Sequence, residues 1–330
     1  MKSISVISAI FIILFLAGLR IGSFDTSWDT LANAILHYNP DDATHYAIMN
    51  LRMPRLILAF LVGGALAISG YLMQAMVSNP LADPYLLGTS SGASLGASFA
   101  LSGILPVAFL GIFSSSVFAF IGALAVTLIA ILVSYEKGQI IPTRLLLGGV
   151  ALSSLMVALM TLLTYISDDE GKLKSIIYWS LGSFDLARWE YIPLLSVVLI
   201  IFTILFMFYT KQLNILLLGD SRAKNLGVDI RRMRWFVLTG CSVLTGFAVA
   251  TSGPIGFVGL IVPHFVRALY GVNGKYNILF AVFTGGVFML ACDILSRIII
   301  PGISLPIGII TSFLGIPFFV YLLLKNNYRF

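Results

Sequence analysis

The segment "LRMPRLILAFLVGGALAISGYLMQAMVSNPLADPYLLGTSSGASLG", residues 51–96, decides how the chain folds. Arg52 and Arg55 flank a proline near its start, and residues 56–82 then contain no charged side chain. An apolar run of about 20 residues is long enough to cross a hydrocarbon core as a helix. The segment therefore predicts a membrane-spanning helix that carries two positive charges at one end.

The rest of the chain repeats this apolar pattern. Of 330 residues, 59% are hydrophobic and 10% are charged, whereas a soluble domain has about 25% charged residues. The apolar runs are continuous, while a membrane β-barrel would alternate apolar and polar residues. We predict an all-α polytopic membrane protein with one domain, residues 1–330, and about ten transmembrane helices near 4–22, 52–76, 84–102, 107–133, 144–166, 190–210, 235–251, 254–270, 278–298 and 305–325.

The lysines and arginines are distributed unequally between the two sides of this topology. Thirteen lie on the side of the N-terminus and seven on the other side. Positive residues are enriched in cytoplasmic loops, so the distribution predicts an N-in, C-in orientation. This bias accounts for the net charge of +6 without nucleic-acid binding. A signal peptide is the alternative interpretation of residues 1–20, but the topology favours an uncleaved first helix.

Several kinds of active site are absent from the sequence. It contains no Gly-x-x-x-x-Gly-Lys-Ser/Thr loop, so we expect no ATP hydrolysis by this chain. It has no His-Glu-x-x-His or Cys-x-x-Cys motif, and Cys241 and Cys292 lie in apolar runs. A membrane enzyme is therefore disfavoured. An ATP-independent carrier or channel is a further alternative, but a proton-coupled carrier needs a buried acidic or histidine relay, and none is evident near mid-membrane.

Glycine and proline are concentrated inside the apolar runs. The chain has 30 glycines and 12 prolines, and small residues let membrane helices approach closely. Transporters tolerate interrupted helices where a neighbour or a cavity satisfies the freed backbone groups. The sequence predicts such kinks or breaks at Pro254, Pro263, Pro306 and Pro317.

Five segments together resemble one family, in the same order along the chain. The family comprises the iron-chelate, haem and cobalamin uptake permeases of bacterial ABC importers, and the first segment is similar to its signature region. The five segments are residues 51–96, quoted above, "TRLLLGGVAL" (143–152), "LLLGDSRAKNLGVDIRRMRW" (216–235), "GPIGFVGLIVPHFVRALYG" (253–271) and "LPIGIITSFLGIPFFVYLLLK" (305–325).

The resemblance implies the type II ABC importer permease fold, with ten transmembrane helices per subunit. It also implies a homodimer with the pathway at the subunit interface, in the bacterial cytoplasmic membrane. A cytoplasmic pair of ATP-binding subunits would bind the nucleotide, so this chain needs no cofactor of its own. An extracytoplasmic binding protein would deliver the cargo. A ferric siderophore is the leading cargo by family frequency, with haem and cobalamin open.

Three arginines match the positions that the family uses to receive acidic residues of the binding protein. They are Arg52, Arg55 and Arg297, which the predicted topology places outside. The planar guanidinium stays charged and can hold a carboxylate through two hydrogen bonds. Asp293, four residues before Arg297, is predicted to form an ion pair on the same helix face. The alternative is that these arginines anchor helix ends at lipid headgroups.

The loop at residues 213–234 resembles the coupling helices of the family. We predict two short helices broken at Gly227, with Asp220 and Ser221 as N-caps. The expected contact with the ATP-binding subunit comprises Gly219, Asp220, Arg222, Ala223, Leu226, Gly227 and Val228. Leu226 and Val228 are apolar residues that could enter a groove on a partner. An ordinary basic loop is the alternative.

The resemblance also places a cytoplasmic gate and a pathway wall. The gate is expected at Asn79, Leu81 and Thr143, where Asn79 followed by proline predicts a sharp turn. The fifth predicted helix is expected to line the pathway through Gly148, Gly149, Met156 and Met160. Core packing is an equal alternative for the two methionines.

Overall fold

The computed structural model of the protein describes residues 2–22, 26–104, 108–167, 169–272, 274–300 and 302–324. Apart from loops and short 3-10 or π-helical turns, the described chain consists of α-helices and one small antiparallel hairpin of strands β1 (Tyr135–Glu136) and β2 (Gln139–Ile140). In chain order the helices are α1 (Lys2–Arg20), α2 (Trp28–Leu36), α3 (Ala43–Tyr46), α4 (Met53–Val77), α5 (Thr89–Leu101), α6 (Ser114–Ser134), α7 (Pro142–Ile166), α8 (Glu170–Ser180), α9 (Ile192–Phe208), α10 (Thr210–Leu216), α11 (Asp220–Asn225), α12 (Ile230–Ser252), α13 (Val258–Tyr270), α14 (Asn277–Ile298) and α15 (Ile307–Leu324).

In the described part of the chain, each of the ten predicted spans overlaps one long α-helix of the structure, and the spans 84–102 and 107–133 each also include a short 3-10 helix before it. Within the described residues, seven helical stretches are long and apolar enough to cross a membrane. They contain α4, α6, α7, α9, α12, α14 and α15. Of the other three, α5 and α13 are shorter, and α1 is counted only over its apolar stretch Ser5–Arg20, which is also shorter. The count of ten crossings therefore stays a prediction. Part of the predicted division at residues 102–106 lies outside the described residues.

Glycines bring the central helices into backbone contact, as the small-residue pattern predicts. A Cβ added at Gly70 of α4 would overlap the carbonyl oxygen of Gly259 in α13. Likewise, a Cβ added at Gly63 of α4 would overlap the carbonyl oxygen of Gly285 in α14. Consequently α4 is buried along most of its length, and the other helices pack around it.

Helix α4 connects two ends of the molecule. Its 25 residues span ~37 Å at about 1.5 Å per residue. Arg55 lies in its first turn, and this end, which also contains Arg297, is called the arginine end. At the other end, the Ser78 Oγ donates a hydrogen bond to the Leu216 carbonyl (2.8 Å). That end, with the hairpin and residues 209–229, is called the loop end.

Both terminal helices run between these two ends. The last turn of α1 contacts Arg297, so α1 begins toward the loop end. The first residue of α15, Ile307, donates its backbone N–H to Gly182 beside the arginine end (2.9 Å). The first and last helices therefore have their outer termini at the same end. Which end faces the cytoplasm stays a prediction.

Short helices occupy segments that the sequence predicts as loops. At the arginine end these are α2, α3 and α8. At the loop end, α10 and α11 lie in or beside residues 213–234, where the sequence predicts two short helices. The predicted second short helix after Gly227 is instead the start of the long helix α12, because Asp229 caps α12 at that point. The prediction of two short coupling helices is therefore corrected to α10 and α11, with the break at Gly227 retained as a turn.

Candidate functional site

Arg52 closes the end of α1. Its side chain is buried, with 5% exposed, and its Nη1 donates to the carbonyls of Leu19 (2.8 Å) and Arg20 (2.9 Å). The last carbonyls of a helix have no partner within the helix, so a buried guanidinium there supplies hydrogen bonds that water would otherwise make. Arg52 therefore points into the protein rather than toward lipid headgroups.

Arg55 and Arg297 share one buried carboxylate, Asp293, which has no exposed area. The Arg55 Nε lies 2.7 Å from Asp293 Oδ1, and the Arg297 Nη2 lies 2.7 Å from Oδ2. The predicted i,i+4 pair of Asp293 and Arg297 is confirmed. Arg297 also donates to the carbonyls of Gly18 (3.0 Å) and Ile21 (2.7 Å). The cluster ties α1, α4 and α14 together.

The three arginines line a single small cavity, of about 240 Å³, at the arginine end. The structure therefore brings together the three residues that the resemblance selected. Arg55 additionally pairs with Asp185, and its Nη2 donates to Ser304 Oγ (3.0 Å). Sequence reasoning missed Asp185 and Ser304, because both lie in loops far from the arginines along the chain. Receipt of a partner's acidic residues stays a prediction.

Asp185 is ionised at neutral pH. Burial raises its pKa, but the charge of Arg55 and hydrogen bonds from Ser183 and Ser304 lower it more, so its pKa lies below the usual value. For a carboxyl with a depressed pKa, the stabilisation is present above the ordinary pKa and is lost as the pH falls through the depressed value. The Asp185–Arg55 pair is therefore complete at physiological pH.

At the loop end, Asp220 is not an N-cap. It is the first residue of α11, and its carboxylate accepts two hydrogen bonds from the Nη2 of buried Arg234 (2.9 and 2.7 Å). Gly219 is the N-cap residue and makes no side-chain capping bond, so the predicted caps Asp220 and Ser221 are wrong. The Asp220 carboxylate binds the Arg234 guanidinium instead of capping the helix. Arg234 also donates a hydrogen bond to the Ile140 carbonyl (2.8 Å). Helix α11 is thus fixed to α12 and to the hairpin.

A turn at Gly227 presents an apolar side chain on this end. Gly227 has a φ of +80°, a left-handed conformation that favours glycine. Leu226 just before it is 59% exposed, whereas Val228 just after it packs against the core. Clefts of about 640 and 590 Å³ flank the turn. The predicted contact residues Gly219, Arg222 and Ala223 lie on the same short segment, with Arg222 exposed and Ala223 buried.

The predicted gate residues also lie at the loop end. The Asn79 Oδ1 accepts a hydrogen bond from the Leu81 backbone (2.9 Å), and Ser78 before it has a φ of +53°, so the predicted sharp turn is present. Leu81 packs against a cluster of buried apolar side chains. Thr143 is exposed at the start of α7, directly after the hairpin. Their role as a gate stays a prediction.

A cavity of about 710 Å³ lies between α5, α7, α8 and α15. Of the predicted pathway residues, Met160 lines it. Gly149 instead packs against the backbone of Leu86, while Gly148 and Met156 are not among the residues that line this cavity. Hydroxyl groups dominate its polar lining and come from Tyr85, Ser90, Ser91, Ser94, Ser153, Ser180 and Ser312. The sequence signal for them was "GTSSGASLG", which small-residue packing explains equally well.

Comparisons with known proteins agree with this geometry. The model of the FecCD transport family matches residues 10–325. The hemin transport system permease protein HmuU of Yersinia pestis is 40% identical over 320 residues, which cover 96% of this chain and 93% of the relative. The vitamin B12 import system permease protein BtuC of Vibrio vulnificus is 38% identical over 287 residues, covering 86% and 84%.

A solved structure is also similar over the whole chain. It is described as an inward-facing conformation of a metal-chelate type ABC transporter, with a TM-score of 0.84, 31% identity, and coverage of 98% of this chain and 99% of that one. With the apolar helices, these matches identify a multi-pass membrane protein. The relatives are permease subunits and not enzymes. The chain therefore belongs to the FecCD transport family of ABC transporter permeases.

Proposed function

We propose that this chain is the membrane subunit of an ATP-driven importer for a metal chelate, with a ferric siderophore as the leading cargo. The observation that carries the proposal is the cavity of about 710 Å³ in a permease of this family. Its size is within the range of about 300–1,000 Å³ typical of small-molecule sites. In a bacterium the chain would lie in the inner membrane.

The chemistry of the cavity wall favours a chelate over a bare ion. Among its lining residues within the described chain, seven carry hydroxyl groups, and none is Lys, Arg, His, Asp, Glu or Cys. A bare metal ion requires carboxylate, imidazole or thiolate ligands. A small oxyanion is commonly bound by arginine or lysine. A chelate keeps its metal inside its own ligand, so hydroxyl and apolar groups suffice to pass it without trapping it.

Haem is the second candidate cargo, because the relative HmuU is described as a hemin permease and is 40% identical to this chain. The apolar side chains of Val157, Phe313 and Ile316 on the cavity wall could pack against a flat macrocycle such as haem. The two carboxylates of haem would have no counter-ion on this wall, which ranks haem below a siderophore. Cobalamin is the third candidate cargo, because the relative BtuC is described as a vitamin B12 import permease.

The two ends of the molecule suit different partners. The arginine end offers guanidinium groups to the acidic residues of an extracytoplasmic binding protein. The loop end offers exposed Leu226 beside the Gly227 turn to a cytoplasmic ATP-binding subunit, which would bind and hydrolyse the nucleotide. An exposed apolar side chain directly after a short, fixed helix is a suitable contact for a groove on that subunit.

A second copy of the chain would complete the pathway. The cavity opens between α7 and α15, whose exposed apolar side chains include Phe313 and Ile316 on its wall and Leu147 and Leu155 beside it. We propose that two copies meet across these faces, so that the two cavities form one passage. Lipid contact is the alternative for these faces. Cross-linking of cysteines introduced at Leu155 and Phe313 in native membranes distinguishes the two.

Uptake in the native cell tests the function. The gene is deleted, and labelled ferric siderophores, haem and cobalamin are supplied in parallel. We expect loss of ferric-siderophore uptake, restored by the gene and abolished by depletion of cellular ATP. Loss of haem or cobalamin uptake alone would change the cargo but keep the importer. Uptake that persists after ATP depletion and follows a proton gradient would contradict the ABC mechanism.

A further inference from the structure

The arginine cluster contains one guanidinium with an outward-facing partner. Arg52 and Arg297 are largely buried and donate to carbonyls at the end of α1. Arg55 uses its Nε for buried Asp293, while its two Nη atoms reach exposed Asp185 and half-buried Ser304, both in loops. Among the three arginines, Arg55 is therefore the first that a carboxylate approaching from outside would contact. At that point Arg55 is already paired with Asp185.

The partner of Arg55 is held loosely compared with Asp293. The Asp185 side chain is 46% exposed, and it lies in a loop rather than in a helix. Apart from Arg55, its carboxylate accepts hydrogen bonds only from the hydroxyls of Ser183 (2.8 Å) and Ser304 (3.1 Å) among the described contacts. Half-exposed ion pairs contribute little to stability, since water replaces much of the interaction. The carboxylate can therefore leave Arg55 without disturbing a helix.

We propose that Asp185 occupies the position of a partner's carboxylate on Arg55 and is displaced when that partner docks. The proposal rests on the proposed docking of an acidic binding protein at the arginine end. When an aspartate or glutamate of the partner binds Arg55, the ion pair with Asp185 is lost. Docking therefore gains only the difference in free energy between the new ion pair and the old one. Asp185 thereby limits the affinity of the partner and favours its release after delivery.

The loop that carries Asp185 also reaches the large cavity. Two residues earlier, the Ser183 backbone donates to the carbonyl of Ser252, and the Gly182 carbonyl accepts from Ile307 (2.8 and 2.9 Å). Leu181 lines the cavity itself. Displacement of Asp185 therefore acts on a backbone segment that joins the ends of α12 and α15 at the cavity rim. In this way the exchange on Arg55 links partner docking to the rim of the substrate cavity.

Chemical labelling tests whether Asp185 shields Arg55. The transporter complex in nanodiscs is treated with phenylglyoxal, and modification of Arg55 is followed by mass spectrometry. We expect Asp185→Asn to raise the labelling rate of Arg55 roughly two- to fivefold. Glu190→Gln, an exposed acid of the same connection, is the matched control and leaves the rate unchanged. Equal rates for wild type and Asp185→Asn would overturn the shielding role.

Binding of the purified cognate binding protein then tests the exchange. We expect Asp185→Asn to tighten its binding to the nanodisc complex roughly two- to fivefold, mainly by slowing dissociation. Equal or weaker binding than wild type, with docking intact, overturns the role of Asp185 alone. If the binding protein docks to neither form, or docks equally to wild type and Arg55→Glu, the docking assignment fails and this proposal fails with it.

Discussion

Replacing Asp293 with alanine is expected to destabilise the protein strongly. The side chain has no exposed area and forms ion pairs with Arg55 and Arg297, both at 2.7 Å. Removal of one member of a buried ion pair costs about 3–5 kcal/mol, because the remaining charge loses its compensation. Two guanidiniums lose a partner here, but each keeps others: Arg55 keeps Asp185, and Arg297 keeps carbonyls of α1. We therefore expect about 3 kcal/mol rather than twice that value.

The assay is reversible unfolding in mixed micelles with increasing SDS, followed by tryptophan fluorescence. Asp185→Ala is the matched control, since it removes the other carboxylate of Arg55 from a half-exposed position. We expect the control to lose less than about 1 kcal/mol. If Asp293→Ala unfolds within about 1 kcal/mol of wild type, or no more easily than the control, then Asp293 does not hold α1, α4 and α14 together.

Three further predictions concern other parts of the molecule. Gly149→Ala would place a Cβ against the Leu86 backbone, and we expect it to lower the stability of the fold by about 1–3 kcal/mol. In Gly148→Ala the new Cβ would lie 3.6 Å from the nearest side chain, so this variant is the tolerated control. Thermal unfolding in detergent compares the two, and equal melting temperatures would contradict the packing role of Gly149. Arg234→Met removes the ion pair that holds α11 to α12. We expect less of the ATP-binding subunit to co-purify with the permease, while expression of the permease is unchanged. Undiminished co-purification would argue against a role of α11 in this contact. Leu226→Asp should abolish substrate-stimulated ATP hydrolysis while leaving the permease folded, and retained stimulation would remove Leu226 from the contact.

Hydropathy predicts the helices of the fold well, because continuous apolar runs have one stable structure in lipid. The short helices at the arginine end were missed, since they are mixed in polarity and shorter than a membrane span. Capping residues carried the available signal: Ser27, Asp42 and Asp169 each accept a backbone N–H at the start of a helix. The apolar pattern does not reveal such helices, and only attention to N-caps in the loops could have predicted them.

The candidate sites were predicted unequally. The three arginines come together as the resemblance implies, but their partners are carbonyls and loop residues that only the tertiary fold brings near. Local sequence predicts Asp220 as a helix cap, whereas Arg234, fourteen residues later, binds its carboxylate instead. The sequence does not reveal the hydroxyl wall of the large cavity, because serine in a membrane helix usually bonds its own backbone, as Ser312 of this wall does to the Gly308 carbonyl (2.7 Å) and as Ser98 away from it does to the Ser94 carbonyl (2.7 Å).

The measurement that most directly tests the account asks whether cargo passes the hydroxyl-lined cavity. Ser153 lies on its wall, and both native cysteines are buried, so Ser153→Cys provides one accessible thiol. In proteoliposomes with the ATP-binding subunit, uptake is measured after complete reaction with a small methylthiolating reagent or a bulky maleimide. We expect uptake to survive the small adduct and to stop with the bulky one. Full uptake with the bulky adduct in place would contradict the claim that this cavity is the substrate pathway.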